Sequence, residues 1–119
     1  MYRRADDMMS ETKANLRGGS GNVQMTHLFQ SGEFKGKSRL CAKITLEPGC
    51  SIGYHEHVDE DEIYYVLKGQ AVFVDSTAAD AEVLMNPGDA SVTLSGQSHA
   101  IRNDGAETVE ILAIILLYR

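Results

Sequence analysis

The sequence is poor in cysteine and in basic residues, and each shortage excludes a class of protein. It has only two cysteines, Cys41 and Cys50, which form neither a C-x-x-C pair nor a dense disulfide framework. We therefore expect a reduced, cytoplasmic protein, although this number allows one disulfide. Lys and Arg number 11 against 17 acidic residues, and the net charge of −6 argues against nucleic acid or an anionic membrane as a partner.

Long apolar runs are also missing. The longest, residues 111–118, is far shorter than the roughly 20 residues that a membrane-spanning helix needs. Arg3 and Arg4 near the start have no apolar stretch behind them, so no secretory signal is expected. With 43% hydrophobic and 24% charged residues, the composition is typical of a globular domain with one core.

The first 22 residues differ in character from the rest of the chain. Residues 1–17 form a polar arm, in which residues 6–16 could form a helix with sparse apolar positions. The glycine-rich stretch 18–22 is typical of a flexible joint. We therefore divide the chain into the arm with its joint, residues 1–22, and a folded domain, residues 23–119.

From residue 23 onward the side chains alternate with a period of two, which predicts β-strands. The clearest case is residues 40–47, where apolar positions alternate with polar or less apolar ones. Pro-Gly turns at 48–49 and 87–88 separate such segments, and no convincing helix lies between them. Short strands with turns about every ten residues predict an all-β barrel or sandwich.

The last predicted strand, residues 108–118, is apolar on both faces. One face carries Ile111, Ala113, Ile115 and Leu117, and the other carries Leu112, Ile114 and Leu116. A strand buried on both sides needs cover outside the barrel as well as within it. The N-terminal arm or a second subunit could provide that cover, and we expect a homodimer.

The segment from Gly49 to Gly69 contains the residues that indicate chemistry. His55 and His57 are two positions apart, so on an extended strand both imidazoles project from the same face. An acidic turn follows, most of which we expect in solvent, and Glu62 then returns a carboxylate beside the two imidazoles. These nitrogen and oxygen ligands suit a divalent Mn, Fe, Co, Ni or Zn ion.

Two further histidines lie outside this segment. His99 follows a glycine-containing turn, and a barrel could place it opposite the first three ligands. His27 does not fit this scheme, and we interpret it as either structural or at the edge of the pocket. An H-x-H pair alone is a weak signal, but three of the 4 histidines enter one geometric scheme.

The segment 49–69 resembles the first motif of the cupin superfamily, G-x5-H-x-H-x3,4-E-x6-G, at every fixed position. The residues similar to the second motif, G-x5-P-x-G-x2-H-x3-N, are Gly88, Gly96, His99 and Asn103. Leu94 stands where that motif has proline. The close spacing of the two motifs is similar to that of small single-domain microbial cupins.

This resemblance implies a double-stranded β-helix, a jelly-roll-like barrel that binds one divalent transition metal ion. The implied ligands are His55, His57, Glu62 and His99. An ion that prefers six ligands keeps about two open positions on such a site. A structural zinc site usually has four closed ligands, often cysteines. We therefore favour a site that binds water, substrate or dioxygen.

Two classes of function remain open at this point. An enzyme would use the metal as a Lewis acid on a small oxygenated metabolite, in isomerase, lyase or decarboxylase chemistry, or would be a metal-dependent dioxygenase. A binding or sensing module would hold a small molecule without turnover. Tyr64 follows Glu62 on the same face and could be a catalytic hydrogen-bond or proton donor, or simply a buried core tyrosine.

The period of two also predicts the lining of the pocket. The expected residues are Ile44 or Lys43, Tyr64, Val66, Phe73 and Ile101. Near the motifs the only cations in sequence are Lys68 and Arg102, and the second of these points away from the pocket. This apolar lining counts against a sugar phosphate without excluding it.

Overall fold

The computed structural model describes residues 1–119, and nearly all of its regular structure is β. The strands are β1 (Met9–Ala14), β2 (Asn22–His27), β3 (Ser38–Leu46), β4 (Ser51–Glu56), β5 (Glu60–Lys68), β6 (Ala71–Asp75), β7 (Ala81–Met85), β8 (Ala90–Thr93), β9 (Ser98–Arg102) and β10 (Val109–Leu117). Short 3-10 turns occur at Ala5–Asp7, Leu16–Gly18 and Ser76–Ala78. None of these helical turns has the length or apolar character to cross a membrane.

The strands form two antiparallel sheets that share one core. The larger sheet has the order β1-β2-β3-β10-β5-β8, and the smaller has the order β4-β9-β6-β7. Inward residues such as Ile44 and Ile111 of the larger sheet pack in one buried cluster with Phe73 and Ile101 of the smaller. The all-β architecture predicted from the sequence is confirmed.

The N-terminal arm is a strand where the sequence allowed a helix. Residues 9–14 form the edge strand β1, which pairs antiparallel with β2. The helix over residues 6–16 was wrong, because its sparse apolar positions give no stripe to bury against the barrel. The free edge of β2 instead offers a row of backbone hydrogen-bonding groups that β1 satisfies.

Strand β10 lies inside the larger sheet, between β3 and β5. On its outer face Leu112 and Ile114 are partly exposed, and Leu116 is 42% exposed. The N-terminal arm does not cover this face, because β1 lies beyond β2 and β3 at the edge of the sheet. Phe34 and Lys37 of the loop before β3 lie beside Ile114 and Leu116 at one end of this face. Within the chain the outer face of β10 is therefore only partly buried.

Asn103, the last residue of the second motif, holds the loop between β9 and β10. Its side chain is 1% exposed, and its Nδ2 donates to the carbonyls of Leu46 at 2.9 Å and Glu107 at 2.7 Å. Its Oδ1 accepts from the Gly105 N–H at 2.9 Å. These bonds satisfy a buried amide completely, so this residue has a structural role.

The two cysteines belong to different parts of the molecule. Cys41 lies on β3 opposite Ile114 of β10, and Cys50 precedes β4, next to Gly21. Both are free thiols. The disulfide that their number allows is therefore absent from the structure.

Candidate metal centre

Four side chains from different strands converge in the barrel. His55 lies on β4 and His57 directly follows it, while Glu62 lies on β5 and His99 on β9. Their ligand-type atoms all lie within 4.8 Å of one another. We call these four residues the His–Glu cluster. They are the residues that the sequence brought together as candidate metal ligands.

The Nε2 atoms of the histidines face the centre of the His–Glu cluster. Nε2 of His99 lies 3.0 Å from Nε2 of His57 and 3.2 Å from Nε2 of His55. Glu62 Oε1 lies 3.1 Å from His57 Nε2 and 3.0 Å from His99 Nε2. Atoms that bind one ion at about 2.0–2.2 Å are separated by distances of this size.

Strand pairing explains why these side chains meet. His55 and His99 are cross-strand partners on β4 and β9. His57 is held by the turn before β9, since its N–H donates to Gln97 O at 3.0 Å and its carbonyl accepts from Gly96 N–H at 2.7 Å. The turn of the second motif therefore positions a ligand of the first.

Leu94 takes the place of the motif proline in this turn, and its backbone N–H is used. The N–H donates to Gln97 Oε1 at 2.9 Å, and Gln97 N–H donates to Leu94 O at 3.0 Å. Gly96 has φ 83°, which glycine adopts at little steric cost. Hydrogen bonds thus close the turn without a proline ring, and His99 stays in the cluster.

The outer ring nitrogen, Nδ1, of each histidine has a partner of its own. The pairs are His55 with Gly53 O at 2.7 Å, His57 with Glu60 Oε2 at 2.6 Å and His99 with Thr93 Oγ1 at 2.8 Å. A carbonyl or carboxylate only accepts, so Nδ1 of His55 and His57 carries the proton. When either ring is neutral, its Nε2 then presents a lone pair to the centre.

This donor set fits a metal cation. Lone pairs of imidazole nitrogens and a carboxylate oxygen at about 3 Å from one another repel unless positive charge lies among them. The set mixes imidazole and carboxylate and contains no thiolate, a combination that suits borderline divalent transition metals. The outer hydrogen bonds fix the ring orientations in the manner seen around bound metals in proteins.

The carboxylate and the imidazoles of the cluster shift one another's pKa values. Burial alone raises the pKa of Glu62, but hydrogen bonds and charge from His57 and His99 outweigh it and hold that pKa at about 2. The hydrogen bond with Glu62 raises the pKa of His57, and Glu60 adds to this effect. Burial lowers the pKa of His55. The cluster therefore retains an ionised carboxylate across the physiological pH range.

Glu60 and Arg39 extend the site beyond its ligands. The Arg39 guanidinium donates to both oxygens of Glu60 at 2.8 Å, and Glu60 holds His57. Glu60 is only 8% exposed, although the sequence placed most of its acidic turn in solvent. The sequence contained a signal for this burial, because the period of two puts Glu60 on the same face of the strand as Glu62.

The contact of Thr93 with His99 was also not predicted from the sequence. Thr93 is 3% exposed on β8, and its hydroxyl contacts Nδ1 of His99. Sequence alone does not indicate this contact, because β8 and β9 lie in different sheets and meet only through the barrel. Thr93 orients His99 as Gly53 orients His55.

Tyr64 is inside the barrel, as its spacing from Glu62 predicts. It is 1% exposed, and its ring stacks on that of His99 with centroids 5.0 Å apart and planes inclined by 10°. Burial raises the pKa of Tyr64 well above its ordinary value, and Glu62 adds to that rise. The phenol therefore stays protonated, and its ring supports a candidate ligand.

A cavity of about 190 Å³ opens beside the His–Glu cluster. Its walls include the expected Ile44 and Tyr64, but the expected Val66, Phe73 and Ile101 do not line it. Its lining also includes Lys13, Arg17, Arg39 and His27. The predicted scarcity of cations was therefore wrong, because Lys13, Arg17 and Arg39 come from β1, the Leu16–Gly18 turn and β3 and not from the motifs.

His27 is at the edge of this cavity, one of the two positions that the sequence allowed. It ends β2, and its Nε2 lies 3.6 Å from Oε2 of Glu11 on β1. The same nitrogen is buried and forms no hydrogen bond. His27 therefore belongs to the wall of the cavity and not to the His–Glu cluster.

Known proteins resemble this chain along nearly its whole length. The model of the cupin domain family Cupin_2 matches residues 42–115. An oxalate-binding protein from Thermotoga maritima is 42% identical over 117 residues, which cover 98% of this chain and 94% of the relative. A crystal structure described as a predicted oxalate decarboxylase from Thermotoga maritima, also 42% identical, has a TM-score of 0.91 over 98% of this chain and 99% of its own.

More distant structures share the fold alone. The polyketide cyclase RemF from Streptomyces resistomycificus is 17% identical, with a TM-score of 0.79 over 100% of this chain and 81% of its own. Together with the two-sheet topology, these similarities confirm the double-stranded β-helix. Because RemF differs so much in sequence, its likeness carries no information on chemistry.

Proposed function

This chain belongs to the cupin domain family, and from that premise we propose that it binds one divalent transition metal ion at the His–Glu cluster and, through it, a small dicarboxylate of the oxalate class. The observation that carries the proposal is the convergence of the four ligand-type atoms within 4.8 Å. When bound, a divalent ion supplies a Lewis acid with open positions for ligand oxygens. The mixed nitrogen and oxygen donors suit Mn, Fe, Ni or Zn.

The cavity supports an anionic ligand of small size. Its volume of about 190 Å³ is below the roughly 300–1,000 Å³ typical of drug-sized ligands. Its charged lining has three basic side chains, Lys13, Arg17 and Arg39, against the two carboxylates of Glu11 and Glu62. A divalent ion in the cluster would add further positive charge, which favours a ligand that carries more than one negative charge.

The relatives narrow the class of ligand. Proteins 42% identical to this chain are named an oxalate-binding protein and a predicted oxalate decarboxylase. Oxalate is small, carries two carboxylates and presents the hard oxygen donors that divalent ions accept. These properties match the size and charge of the cavity, and they support oxalate over a sugar phosphate.

Turnover of the bound dicarboxylate is the second candidate, and Tyr64 is the observation that favours it. Decarboxylation of oxalate breaks the carbon–carbon bond, releases carbon dioxide and needs one proton on the carbon that becomes formate. Tyr64 lines the cavity, and its hydroxyl remains protonated because burial raises its pKa. It is therefore a candidate hydrogen-bond donor to the reacting ligand, whereas the raised pKa disfavours transfer of the proton itself.

Metal and ligand binding can be tested on the same protein. We expect one ion per chain by elemental analysis after loading with Mn(II), and oxalate binding by titration calorimetry only in the loaded form. His55→Ala and Glu62→Gln should lose the ion, whereas Glu56→Gln, at an exposed position between the two histidines, should keep it. One ion per chain in both ligand variants would contradict the proposal.

Turnover has its own test. Formate release from oxalate by the loaded protein would establish a decarboxylase, and its absence despite tight oxalate binding would establish a binding protein. In the first case, Tyr64→Phe should lower the rate while oxalate affinity changes little, because the ring that stacks on His99 is kept. An unchanged rate would remove Tyr64 from catalysis.

We also propose that the chain forms a homodimer through the outer face of its larger sheet. A continuous apolar row crosses four strands there. The row consists of Cys41 on β3, Ile114 on β10, Ile63 on β5 and Val92 on β8. Val92 is 55% exposed and the neighbouring Leu116 is 42% exposed. Burial of such a face against its own copy removes apolar surface from water on both subunits.

A further inference from the structure

The positive charges on the cavity wall differ in whether they have acidic partners. Arg39 is neutralised by Glu60, whose carboxylate it holds through two bonds of 2.8 Å. Lys13 lies 3.4 Å from the Glu11 carboxylate. Arg17 forms no salt bridge and no side-chain hydrogen bond. It is therefore the one cation of the cavity wall that is free to pair with a bound anion.

The backbone of Arg17 is fixed against the strand that carries His55. A Cβ atom at Gly53 on β4 would lie 2.0 Å from Arg17 O, and one at Gly19 would lie 2.2 Å from Ser51 O. The two chain segments are therefore in direct backbone contact, which only glycine permits. Gly53 O also accepts from His55 Nδ1, so one residue positions both Arg17 and a cluster histidine.

Hydrogen bonds fasten the same segment to β4. The Ser20 N–H donates to Ser51 Oγ at 2.8 Å, and the Ser51 N–H donates to Ser20 O at 2.8 Å. At the other end of the loop, the Asn15 N–H donates to Gly21 O at 2.9 Å. Arg17 therefore projects from a loop that is tied at both ends, beside the cavity.

Arg17 has a backbone conformation that an arginine rarely adopts. Its φ of 54° and ψ of 32° lie in the left-handed region, where a Cβ atom is unfavourable and glycine is not. Backbone strain of this kind persists where the surrounding structure imposes it, and it is concentrated at functional sites. The loop has glycine at the next position, Gly18, yet keeps a long cationic side chain at the strained one.

We propose that Arg17 determines ligand specificity in the cavity, because its guanidinium pairs with carboxylate oxygens of a dicarboxylate that point away from the His–Glu cluster. This inference rests on the proposed function. A guanidinium presents two parallel N–H donors that match a carboxylate, whereas an ammonium acts as a point charge. A ligand with a single carboxylate, held only at the cluster, has no group left for Arg17.

The test uses the full chain loaded with Mn(II), with calorimetric titrations of oxalate and of acetate as a monocarboxylate probe. Arg17→Gly removes the side chain and suits the left-handed backbone, so this variant keeps its fold. We expect its oxalate affinity to fall about tenfold or more, with the acetate affinity within about threefold of the parent. Arg17→Lys should recover part of the loss, and metal content should stay at one ion per chain.

Arg4→Ala is the matched control, because Arg4 is exposed and does not line the cavity. It should bind both probes as the parent does. Equal oxalate affinity in Arg17→Gly and the parent, with the ion retained, would overturn the role of Arg17 and leave the proposed function intact. Loss of the ion from Arg17→Gly would overturn it as well, by assigning Arg17 to the metal centre. A loaded parent protein that binds no oxalate would overturn both proposals.

Discussion

The Nδ1 atom of His57 lies 2.6 Å from Oε2 of Glu60. This contact fixes both the tautomer and the orientation of an imidazole that faces the His–Glu cluster. Glu60 is held in turn by the two bonds from Arg39. The Glu60 carboxylate makes His57 a more basic nitrogen donor than a free histidine. Glu60 and Arg39 therefore raise the metal affinity of the site without binding the ion themselves.

Replacement of Glu60 tests this relationship directly. Glu60→Gln keeps the size of the side chain but removes its charge, and it leaves Arg39 without an anion. We expect the affinity for Mn(II) to fall about 10–100-fold, as measured by competition with a fluorescent chelator. Glu56→Gln, an exposed change of the same type on β4, should leave the affinity unchanged. Equal losses in the two variants would point to net charge instead of the His57 contact.

Metal affinity should fall as the pH falls. The hydrogen bond with Glu62 raises the pKa of His57 above its ordinary value of 6.5, so below that raised pKa a metal ion must displace a proton from this ring. Burial lowers the pKa of His55, and Glu62 stays ionised because its pKa is about 2. Affinity should therefore rise with pH until His57 is neutral and then level off.

Titrations of Mn(II) in a series of buffers at constant ionic strength would measure this dependence. His57, and not the carboxylate, should set the slope, since Glu62 does not titrate in this range. An affinity that is constant between about pH 6 and 8 would contradict the proton competition at His57.

Gly53→Ala should destabilise the fold. The added Cβ would meet Arg17 O at 2.0 Å and Gly19 N at 2.9 Å, and these are backbone atoms that cannot rotate away as a side chain could. We expect a loss of about 1–3 kcal/mol in the free energy of unfolding, measured by urea denaturation in the presence of a chelator. Gly36→Ala is the control, because no atom lies within 4 Å of its added Cβ. An unchanged free energy of unfolding in Gly53→Ala would mean that the N-terminal loop moves away from β4 at little cost.

The outer face of the larger sheet should control the oligomeric state. Ile114→Lys places a charge in the middle of the apolar row, and we expect the protein to change from dimer to monomer in light scattering coupled to size exclusion. Leu84→Lys is a matched change at a residue that is 55% exposed on β7 of the other sheet. It should leave the mass unchanged. A parent protein that is already monomeric would refute the homodimer.

The predictable parts of the molecule were those that depend on local periodicity and spacing. The alternation in residues 40–47 placed Ile44 in the core, and the spacing of His55, His57 and Glu62 brought these side chains together. His99 was brought into the same group from a second motif in which Leu94 replaces proline. The helical option for residues 6–16 was wrong, since β1 forms by pairing with the next strand, β2, and local propensity does not report pairing between strands.

By itself the sequence determined the all-β class, the inward face of each main strand and the identity of the four clustered side chains. The class, the inward faces and the grouping of His55, His57 and Glu62 follow from a period of two and from short spacings. His99 joined the group through the resemblance to the second cupin motif. Only the tertiary structure placed Arg17 and Arg39 beside the cavity and Glu60 and Thr93 behind the histidines. Glu60 and Thr93 lie three and six residues from the histidines that they contact, whereas Arg17 and Arg39 come from segments farther along the chain. Their positions depend on strand order and on the close backbone contact at Gly53, which no local pattern encodes.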